Sequence, residues 1–219
     1  MPKLLVFSSG TKEAGGSGFE NLVLASRNGI LNADIVGVVS NHAEGGVKAR
    51  ADKLGVPFIH FTKPWDAESY QRIAAESGAD FFALSGWLKL VNGLDANTPF
   101  NSKTVFNIHP GPLPQFGGDG MYGHFVLEAV MNAYKNGEAS SSGVSMHFVT
   151  EKYDEGPIFF LGNVPINPGD TAETLAARVN EREHYFQPRI TNLVVNGEIK
   201  WDGKNPSSLV LPANYSVEQ

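Results

Sequence analysis

The segment Thr104–Gly118 reads T-V-F-N-I-H-P-G-P-L-P-Q-F-G-G and decides the fold expected for this chain. Its first part is a short apolar strand, and prolines follow at 110, 112 and 114. Proline fixes φ and removes a backbone donor, so we predict a strand that ends at His109 and a rigid, extended loop after it. Because alternate residues of a strand share a face, Asn107 and His109 are expected to project together at the strand's carboxyl end.

Upstream of this segment, apolar strand patterns alternate with amphipathic helix patterns. The strands are predicted at 3–9, 34–40, 56–60 and 80–84, and the helices near 20, at 46–54 and at 66–77. Such alternation is typical of an α/β fold with a doubly wound, mostly parallel sheet, in which ligands bind at the carboxyl ends of the strands. We therefore expect the loops after the first, fourth and fifth strands to converge on one crevice.

Downstream, the pattern changes to an antiparallel C-terminal extension. A helix is predicted from about His124 to Tyr134, an edge-like alternating strand at 143–149, and a returning strand at 158–164. Asp170 and Glu173 form a capping signature for a long helix, which Pro188 is expected to bend. The tail from about 197 is polar, and no linker or repeat divides the chain. We expect a single domain over 1–219.

Composition excludes several functional classes. The chain has 219 residues and a net charge of −6, which does not favour binding to nucleic acid or to an anionic membrane surface. It has no cysteine, so disulfides, thiolate metal sites and a cysteine nucleophile are excluded. No apolar run is long enough for a membrane span, and the amino terminus does not resemble a signal peptide. A cytoplasmic protein is expected.

The loop after the first strand, residues 10–19, contains four glycines, at 10, 15, 16 and 18. Glycines between a strand and a helix let backbone N–H groups face an anion, so this loop is as compatible with phosphate binding as with a flexible connection. A P-loop is excluded because no glycine is followed by lysine and a hydroxyl residue in the required register. NAD is disfavoured because the second strand ends in Ser40-Asn41-His42, without an acidic residue.

Two ordered motifs show a family resemblance. Asn107-x-His109-Pro110 with the following Leu113-Pro114, and H-F-V-T-x-x-x-D-x-G-P at 147–157, closely resemble the folate-dependent formyltransferases over roughly residues 3–197. The resemblance implies a Rossmann-like formyltransferase fold and transfer of a formyl group from 10-formyltetrahydrofolate to an amine, without a metal. The motif A-R-V-N-E-R-E-H at 177–184 is similar to the members that formylate glycinamide ribonucleotide in purine biosynthesis.

The resemblance also implies roles for individual residues. The catalytic trio would be Asn107, His109 and Asp154, with Asp154 keeping the imidazole charged. The substrate would contact Gly15, Gly16, Ser17 and Gly18 with its phosphate, Glu183 with its ribose hydroxyls, and Asn107. The folate would contact Trp87, Leu88, Lys89, Leu90, Thr150 and Asp154.

Several alternatives stay open at this point. Asp154 could be a turn residue, Glu183 a solvated helix residue, Trp87 part of the core, and His147 is expected to be structural. The chain could hydrolyse 10-formyltetrahydrofolate, although such deformylases usually carry an extra amino-terminal domain. It could also formylate a different amine, or bind folate or a nucleotide without catalysis. Monomer and homodimer are both compatible with the sequence.

Overall fold

The computed structural model describes residues 1–12 and 14–219 and contains one seven-stranded sheet with helices on both faces. In chain order the elements are β1 Lys3–Phe7, α1 Ser17–Arg27, β2 Asp34–Ser40, α2 Gly46–Leu54, β3 Phe58–His60, α3 Ala67–Ser77, β4 Phe81–Ser85, β5 Val105–His109, α4 His124–Lys135, β6 Ser141–Phe148, β7 Ile158–Pro165 and α5 Ala172–Val195. A short 3-10 helix follows at Pro206–Ser208.

The order of the strands confirms the predicted fold class. The sheet runs β3-β2-β1-β4-β5-β6-β7, with β1 to β5 parallel and with β6 and β7 antiparallel to their neighbours. After β1 the chain forms β2 and β3 on one side of that strand. It then crosses to the other side of β1 and forms β4. This reversal opens a crevice outside the carboxyl ends of β1 and β4, where doubly wound sheets bind ligands.

Both faces of the sheet are covered, which explains the continuous apolar character of its first strand. Leu4 and Val6 belong to the core beneath α1, α4 and α5, whereas Leu5 and Phe7 face the core beneath α3. Successive side chains of a strand point to opposite faces, so a strand covered on both sides is apolar at every position. The sheet that carries the crevice is thus packed against helices on both of its faces.

The prediction that residues 143–149 form an exposed edge strand is wrong. Residues 143–148 lie in β6, between β5 and β7, and all of the residues from 143 to 149 are buried. The polar side chains of this segment bond internally: the Ser145 hydroxyl donates to Gly111 O at 2.7 Å and accepts from Leu113 N at 3.0 Å. The alternation therefore reflects buried side chains that hold the proline loop, since buried polar groups are normally hydrogen-bonded.

Two helix starts also differ from expectation. The helix predicted near residue 20 begins at Ser17, which places the last residues of the glycine loop in its first turn. The long helix α5 is capped by Thr171, through a reciprocal capping box with Thr174. Asp170 instead binds Arg178 through both guanidinium nitrogens, at 2.8 and 3.0 Å. The helix continues through Pro188.

The polar tail contributes to the sheet. Leu161 N donates to Val217 O at 2.7 Å, and Gln219 N donates to Leu161 O at 2.8 Å. These bonds cover part of the outer edge of β7, which otherwise presents unpaired backbone groups.

Candidate active site

The crevice at the carboxyl ends of β1, β4 and β5 is a cleft of about 530 Å³. It brings together all of the site residues predicted from the sequence, although they come from five separate segments. These residues are Gly15, Gly16, Ser17, Gly18, Trp87, Leu88, Lys89, Leu90, Asn107, His109, Thr150, Asp154 and Glu183. Many other residues also line it, among them His147, Tyr153, His184 and Gln187.

The centre of the cleft is built by β5 and by the loop after β6. Asn107 and His109 lie on one face of β5, as their spacing predicts, and Asp154 reaches them from the loop with a positive φ of 54°. One carboxylate oxygen of Asp154 lies 3.7 Å from His109 Nδ1, and the other accepts from Asn107 Nδ2 at 3.5 Å. An amide, an imidazole and a carboxylate thus meet at one point.

His109 is held in a defined tautomer. Its Nε2 lies 2.7 Å from the carbonyl oxygen of Phe116, which can only accept, so Nε2 carries the hydrogen and Nδ1 faces Asp154. Burial lowers the pKa of His109, and the charge of Asp154 only partly opposes that effect. The expectation that Asp154 keeps this imidazole charged is therefore not met, and the neutral ring offers a free lone pair on Nδ1.

Asp154 is ionised in spite of its burial. Burial alone would raise the pKa of its carboxyl group, but contacts with His147 and His109 and a bond from Gly118 N hold the pKa below its usual range. The Gly118 N–H donates to Oδ2 at 3.0 Å and fixes the carboxylate beside His109. Asp154 is thus a fixed negative charge at the floor of the cleft.

His147 is a site residue that the sequence did not reveal. It lies directly opposite Asn107 in the antiparallel β5–β6 pair, and its Nε2 is 3.2 Å from Asn107 Nδ2 and 3.3 Å from Asp154 Oδ1. The signal that would have found it is the register of this pair. Register follows from the fold, and the local pattern of residues 143–149 does not determine it.

The glycine loop forms one end of the cleft. Gly10, Gly15 and Gly16 adopt positive φ, and the N-terminus of α1 follows at once, with Ser17 in its first turn. Arg50 from α2 braces the loop, since its Nε donates to Gly15 O at 3.0 Å and its guanidinium pairs with Glu20. Backbone N–H groups at a helix N-terminus form a natural anion site, so this end of the cleft suits a phosphate.

Gly18 has a packing role that is visible only in the structure. A Cβ on this residue would lie 2.2 Å from Ser85 Oγ and 3.2 Å from Gln187 Oε1. The first turn of α1 approaches β4 and α5 so closely that no side chain fits there. Gly18 therefore sets the distance between the glycine loop and the sheet.

We expect Gly18→Ala to lower the free energy of unfolding by about 1–3 kcal/mol, because the added methyl group overpacks this contact. Denaturant titration measures the change. In a Ser85→Ala background the same substitution should cost less, since the nearest remaining Ser85 atom, Cβ, lies at an ordinary contact distance of 3.5 Å. Equal costs in both backgrounds would show that the contact with Ser85 does not limit this position.

Residues 87–90, after β4, form an apolar part of the cleft wall. Trp87 is largely a core residue, which is the alternative that the sequence left open for it. Its ring stacks on that of Phe61, and its Nε1 donates to Tyr70 OH at 2.9 Å. Leu88 is 38% exposed and presents an apolar surface to the cleft. Lys89 extends over the ring of Trp65, with Nζ 4.5 Å from its centroid. Such a wall suits a flat, largely apolar ligand with an anionic end.

Glu183 lies on α5, half-buried at the glycine-loop end of the cleft. Burial raises the pKa of its carboxyl group to about 7, and a hydrogen bond with Asn180 opposes this shift without cancelling it. Among the described residues Glu183 forms no ion pair. It therefore differs from the solvated helix residue that was the alternative prediction. A half-buried carboxylate that forms no ion pair with any described residue is a natural acceptor for hydroxyl groups.

Neither a metal site nor a membrane span is evident in residues 1–12 and 14–219. No group of three or more histidine, aspartate or glutamate side chains there is placed to hold a metal ion. No helix in the same ranges combines the length and apolar character that a membrane span requires.

The chain resembles known proteins in both sequence and structure. Residues 2–191 match the model of a family described as formyl transferase. The chain is 38% identical over 208 residues to the chloroplastic phosphoribosylglycinamide formyltransferase of Vigna unguiculata; the match covers 91% of this chain and 62% of that protein. The chain therefore spans less than two thirds of the length of this relative.

Solved structures show the same architecture over nearly the full length. The glycinamide ribonucleotide transformylase 1 of Symbiobacterium toebii superposes with a TM-score of 0.79 at 27% identity, covering 97% of this chain and 94% of that one. The phosphoribosylglycinamide formyltransferase of Anaplasma phagocytophilum gives a TM-score of 0.77 at 29% identity, covering 99% and 97%.

Proposed function

Since this chain belongs to the formyl transferase family, we propose that it transfers the formyl group of 10-formyltetrahydrofolate to the primary amine of glycinamide ribonucleotide, a step of purine biosynthesis. The observation that carries the proposal is the meeting of Asn107, His109 and Asp154 between an apolar wall and a glycine-loop anion site. The names of the relatives support the acceptor. We further propose that residues 1–219 act as one domain and that the protein is cytoplasmic, monomeric or homodimeric.

Two parts of the cleft suit the two substrates. The apolar wall at 87–90, with Thr150 and Asp154 opposite, suits the flat ring system of the folate, which supplies the formyl carbon. The loop at 15–18 suits the phosphate of the ribonucleotide, and Glu183 suits its ribose hydroxyls. This arrangement directs the amine toward the centre, where the trio lies.

Proton transfer falls to His109 and Asp154. When the amine nitrogen bonds to the formyl carbon, it must lose a proton, and the lone pair on His109 Nδ1 accepts it, directly or through water. The ring then carries a positive charge beside the carboxylate of Asp154, 3.7 Å away, which stabilises it. The same proton is returned to N10 of the folate as the bond between N10 and the formyl carbon breaks.

Asn107 stabilises the negative charge that develops on the formyl oxygen. A carboxamide does not titrate, so its role is restricted to hydrogen bonding, and its N–H group supplies a donor that needs no change of charge. One such donor typically changes kcat by about 10²- to 10³-fold.

We expect Glu183→Gln to raise KM for glycinamide ribonucleotide by about 10- to 100-fold, because a carboxylate accepts hydroxyl groups more strongly than a neutral amide does. Initial-rate measurements at varied ribonucleotide test this. Glu181→Gln is the matched control, since Glu181 is exposed on the same helix. An unchanged KM in the Glu183→Gln enzyme would exclude Glu183 from the substrate site.

The same substitution should stabilise the ligand-free protein at alkaline pH. The pKa of Glu183 is raised from 4.5 to about 7 in the folded state, so between these values the folded protein binds more protons and loses stability as pH rises. Glu183→Gln is therefore expected to increase the free energy of unfolding by about 1–3 kcal/mol at pH 8 and by little at pH 4. Denaturant titration at the two pH values measures the difference.

The proposed function is tested by following loss of the formyl group from 10-formyltetrahydrofolate by absorbance, with and without glycinamide ribonucleotide. Turnover that depends on the ribonucleotide is the expected result. Turnover at the same rate without it would indicate hydrolysis. Folate binding without turnover in either case would indicate a different acceptor or a binding protein, and both outcomes would overturn the proposal.

A further inference from the structure

The turn at residues 86–90 carries the apolar wall of the cleft, and residues of other elements hold its backbone at two points. The first point is Ser9, which follows β1. Its N–H donates to Gly86 O at 2.9 Å, and its hydroxyl accepts from Leu88 N at 3.0 Å. Ser9 is 2% exposed, so solvent does not compete for these bonds. The serine therefore fixes the turn on both sides of Trp87.

The second point is Tyr70 of α3, which is fully buried. Its hydroxyl donates to Leu90 O at 3.0 Å and accepts from Trp87 Nε1 at 2.9 Å. The phenol ring makes an edge-on contact with the ring of Phe61, whose centroid lies 4.9 Å away. The hydroxyl thus links two residues of the turn, and the packing of the ring holds the hydroxyl in place.

Leu88 lies between these two anchors. Its side chain is 38% exposed and lines the cleft. Burial of an apolar side chain is favourable, so a leucine that is presented to the cleft has to be held there by its backbone. Gly86 begins the turn with a φ of 73°, and glycine accepts many other backbone conformations as well. The bonds from Ser9 and Tyr70 therefore supply the order that the local sequence lacks.

We propose that Ser9 and Tyr70 are positioning residues for folate binding, because their hydroxyl groups hold the turn in the conformation that presents Leu88 to the folate ring. Neither residue lines the cleft, so both act through the turn. A wall that is ordered before the ligand arrives adds its full contact to the affinity, whereas a loose wall has to be ordered on binding. The inference rests on the proposed function, in which this wall receives the folate.

The effect is expected on folate binding alone. Within residues 1–12 and 14–219, the hydrogen bonds of both hydroxyls go to the turn and not to the catalytic trio. An interaction that contributes equally to the ground state and to the transition state changes KM and leaves kcat unchanged. Loss of either hydroxyl should therefore affect KM for the folate and not kcat.

Two substitutions remove the anchors one at a time. Ser9→Ala removes the acceptor for Leu88 N, and Tyr70→Phe removes a hydroxyl while it keeps the packed ring. Each is expected to raise the Kd of 10-formyltetrahydrofolate, measured by calorimetry without ribonucleotide, and its KM by about 10-fold. The KM for glycinamide ribonucleotide and kcat should change by less than about threefold.

Each variant has a matched control elsewhere in the chain. Ser26→Ala removes a bond of 2.6 Å from a serine hydroxyl to Ala33 O. Tyr215→Phe removes a bond of 2.9 Å from a tyrosine hydroxyl to Phe159 O. Neither Ser26 nor Tyr215 lines the cleft. Both controls should lower the stability of the protein without changing the Kd of the folate.

A second readout does not depend on folate. In the ligand-free protein the amide hydrogen of Leu88 is bonded to Ser9 Oγ, so its exchange with solvent, followed by NMR, should be faster in Ser9→Ala by about 10-fold. In Ser26→Ala the same hydrogen should exchange at the wild-type rate. In Tyr70→Phe the indole N–H signal of Trp87 should shift, because that group loses its acceptor.

Ribonucleotide-dependent turnover with a wild-type Kd of the folate in both Ser9→Ala and Tyr70→Phe would overturn the inference and leave the proposed function intact. An equal loss of affinity in all four variants would also overturn the inference, since it would reflect stability alone. If Ser9→Ala does not fold, Tyr70→Phe decides the question. A wild-type protein that binds no 10-formyltetrahydrofolate would contradict the proposed function and the inference together.

Discussion

Asp154→Asn is expected to lower kcat by about 10²- to 10⁴-fold while folate still binds with an affinity within a few-fold of the wild type. The substitution removes the negative charge that stabilises protonated His109, and general acid–base catalysis typically contributes a factor of this size. An amide oxygen can still accept the bond from Gly118 N, and asparagine tolerates the positive φ at this position. The loop should therefore keep its conformation.

The pH dependence of Asp154→Asn provides a second test. The charge of Asp154 raises the pKa of His109 against the effect of burial, so its removal should move the acid limb of kcat/KM to lower pH. The matched control is Glu155→Gln, because Glu155 is the next residue, is 59% exposed and, within residues 1–12 and 14–219, forms an ion pair with Lys152 alone. Turnover close to that of the wild type in the Asp154→Asn enzyme would restore the alternative that Asp154 is only a turn residue.

His109→Gln is expected to lower kcat by about 10²- to 10⁴-fold, because the variant has no lone pair of suitable basicity in the place of Nδ1. A glutamine N–H can still donate to Phe116 O, so the proline loop should stay anchored. In the wild type, kcat/KM should fall as the pH drops through the pKa of His109, which burial places below the usual 6.5. This limb should be absent from the His109→Gln enzyme.

Stability measurements provide an independent check on His109. Because its folded-state pKa is lowered, the unfolded chain takes up a proton first as the pH falls below 6.5, and the wild type loses stability in that range. The free energy of unfolding of the His109→Gln enzyme should fall less than that of the wild type over the same pH range. His60→Gln is the control, since His60 is exposed at the end of β3. Nearly unchanged kcat with an unchanged acid limb in the His109→Gln enzyme would show that His109 is not the base.

Much of this architecture could be predicted from the sequence, because its signals are local. The apolar run before His109 and the prolines after it indicate a strand with a rigid loop, and β5 ends at His109. The N-cap of α3 could be recognised in the same way: Asp66 accepts from Ser69 N at 3.0 Å. Motif resemblance supplied the residues that proved to share one cleft.

The remaining features depend on contacts between distant segments. His147 reaches Asn107 only because β6 is antiparallel to β5 in a particular register, and neighbouring strands bury both faces of β6. The net pKa direction of His109 depends on burial, which outweighs the nearby carboxylate, and burial cannot be measured from sequence. The sequence pattern around Gly18 predicts only a role in a phosphate loop. The tight contact between Gly18 and Ser85 depends on how α1 packs against β4, and a local pattern does not contain that information.

In the proposed reaction, the cleft passes a formyl group from the folate to a ribonucleotide amine. The most direct test supplies 10-formyltetrahydrofolate labelled with ¹³C in the formyl group, together with glycinamide ribonucleotide, and follows the label by NMR and mass spectrometry. We predict that the label appears in the formylated ribonucleotide, at a rate that Asp154→Asn and His109→Gln reduce together. Label that appears in formate, or that stays in the folate while the ribonucleotide is bound, would contradict the account.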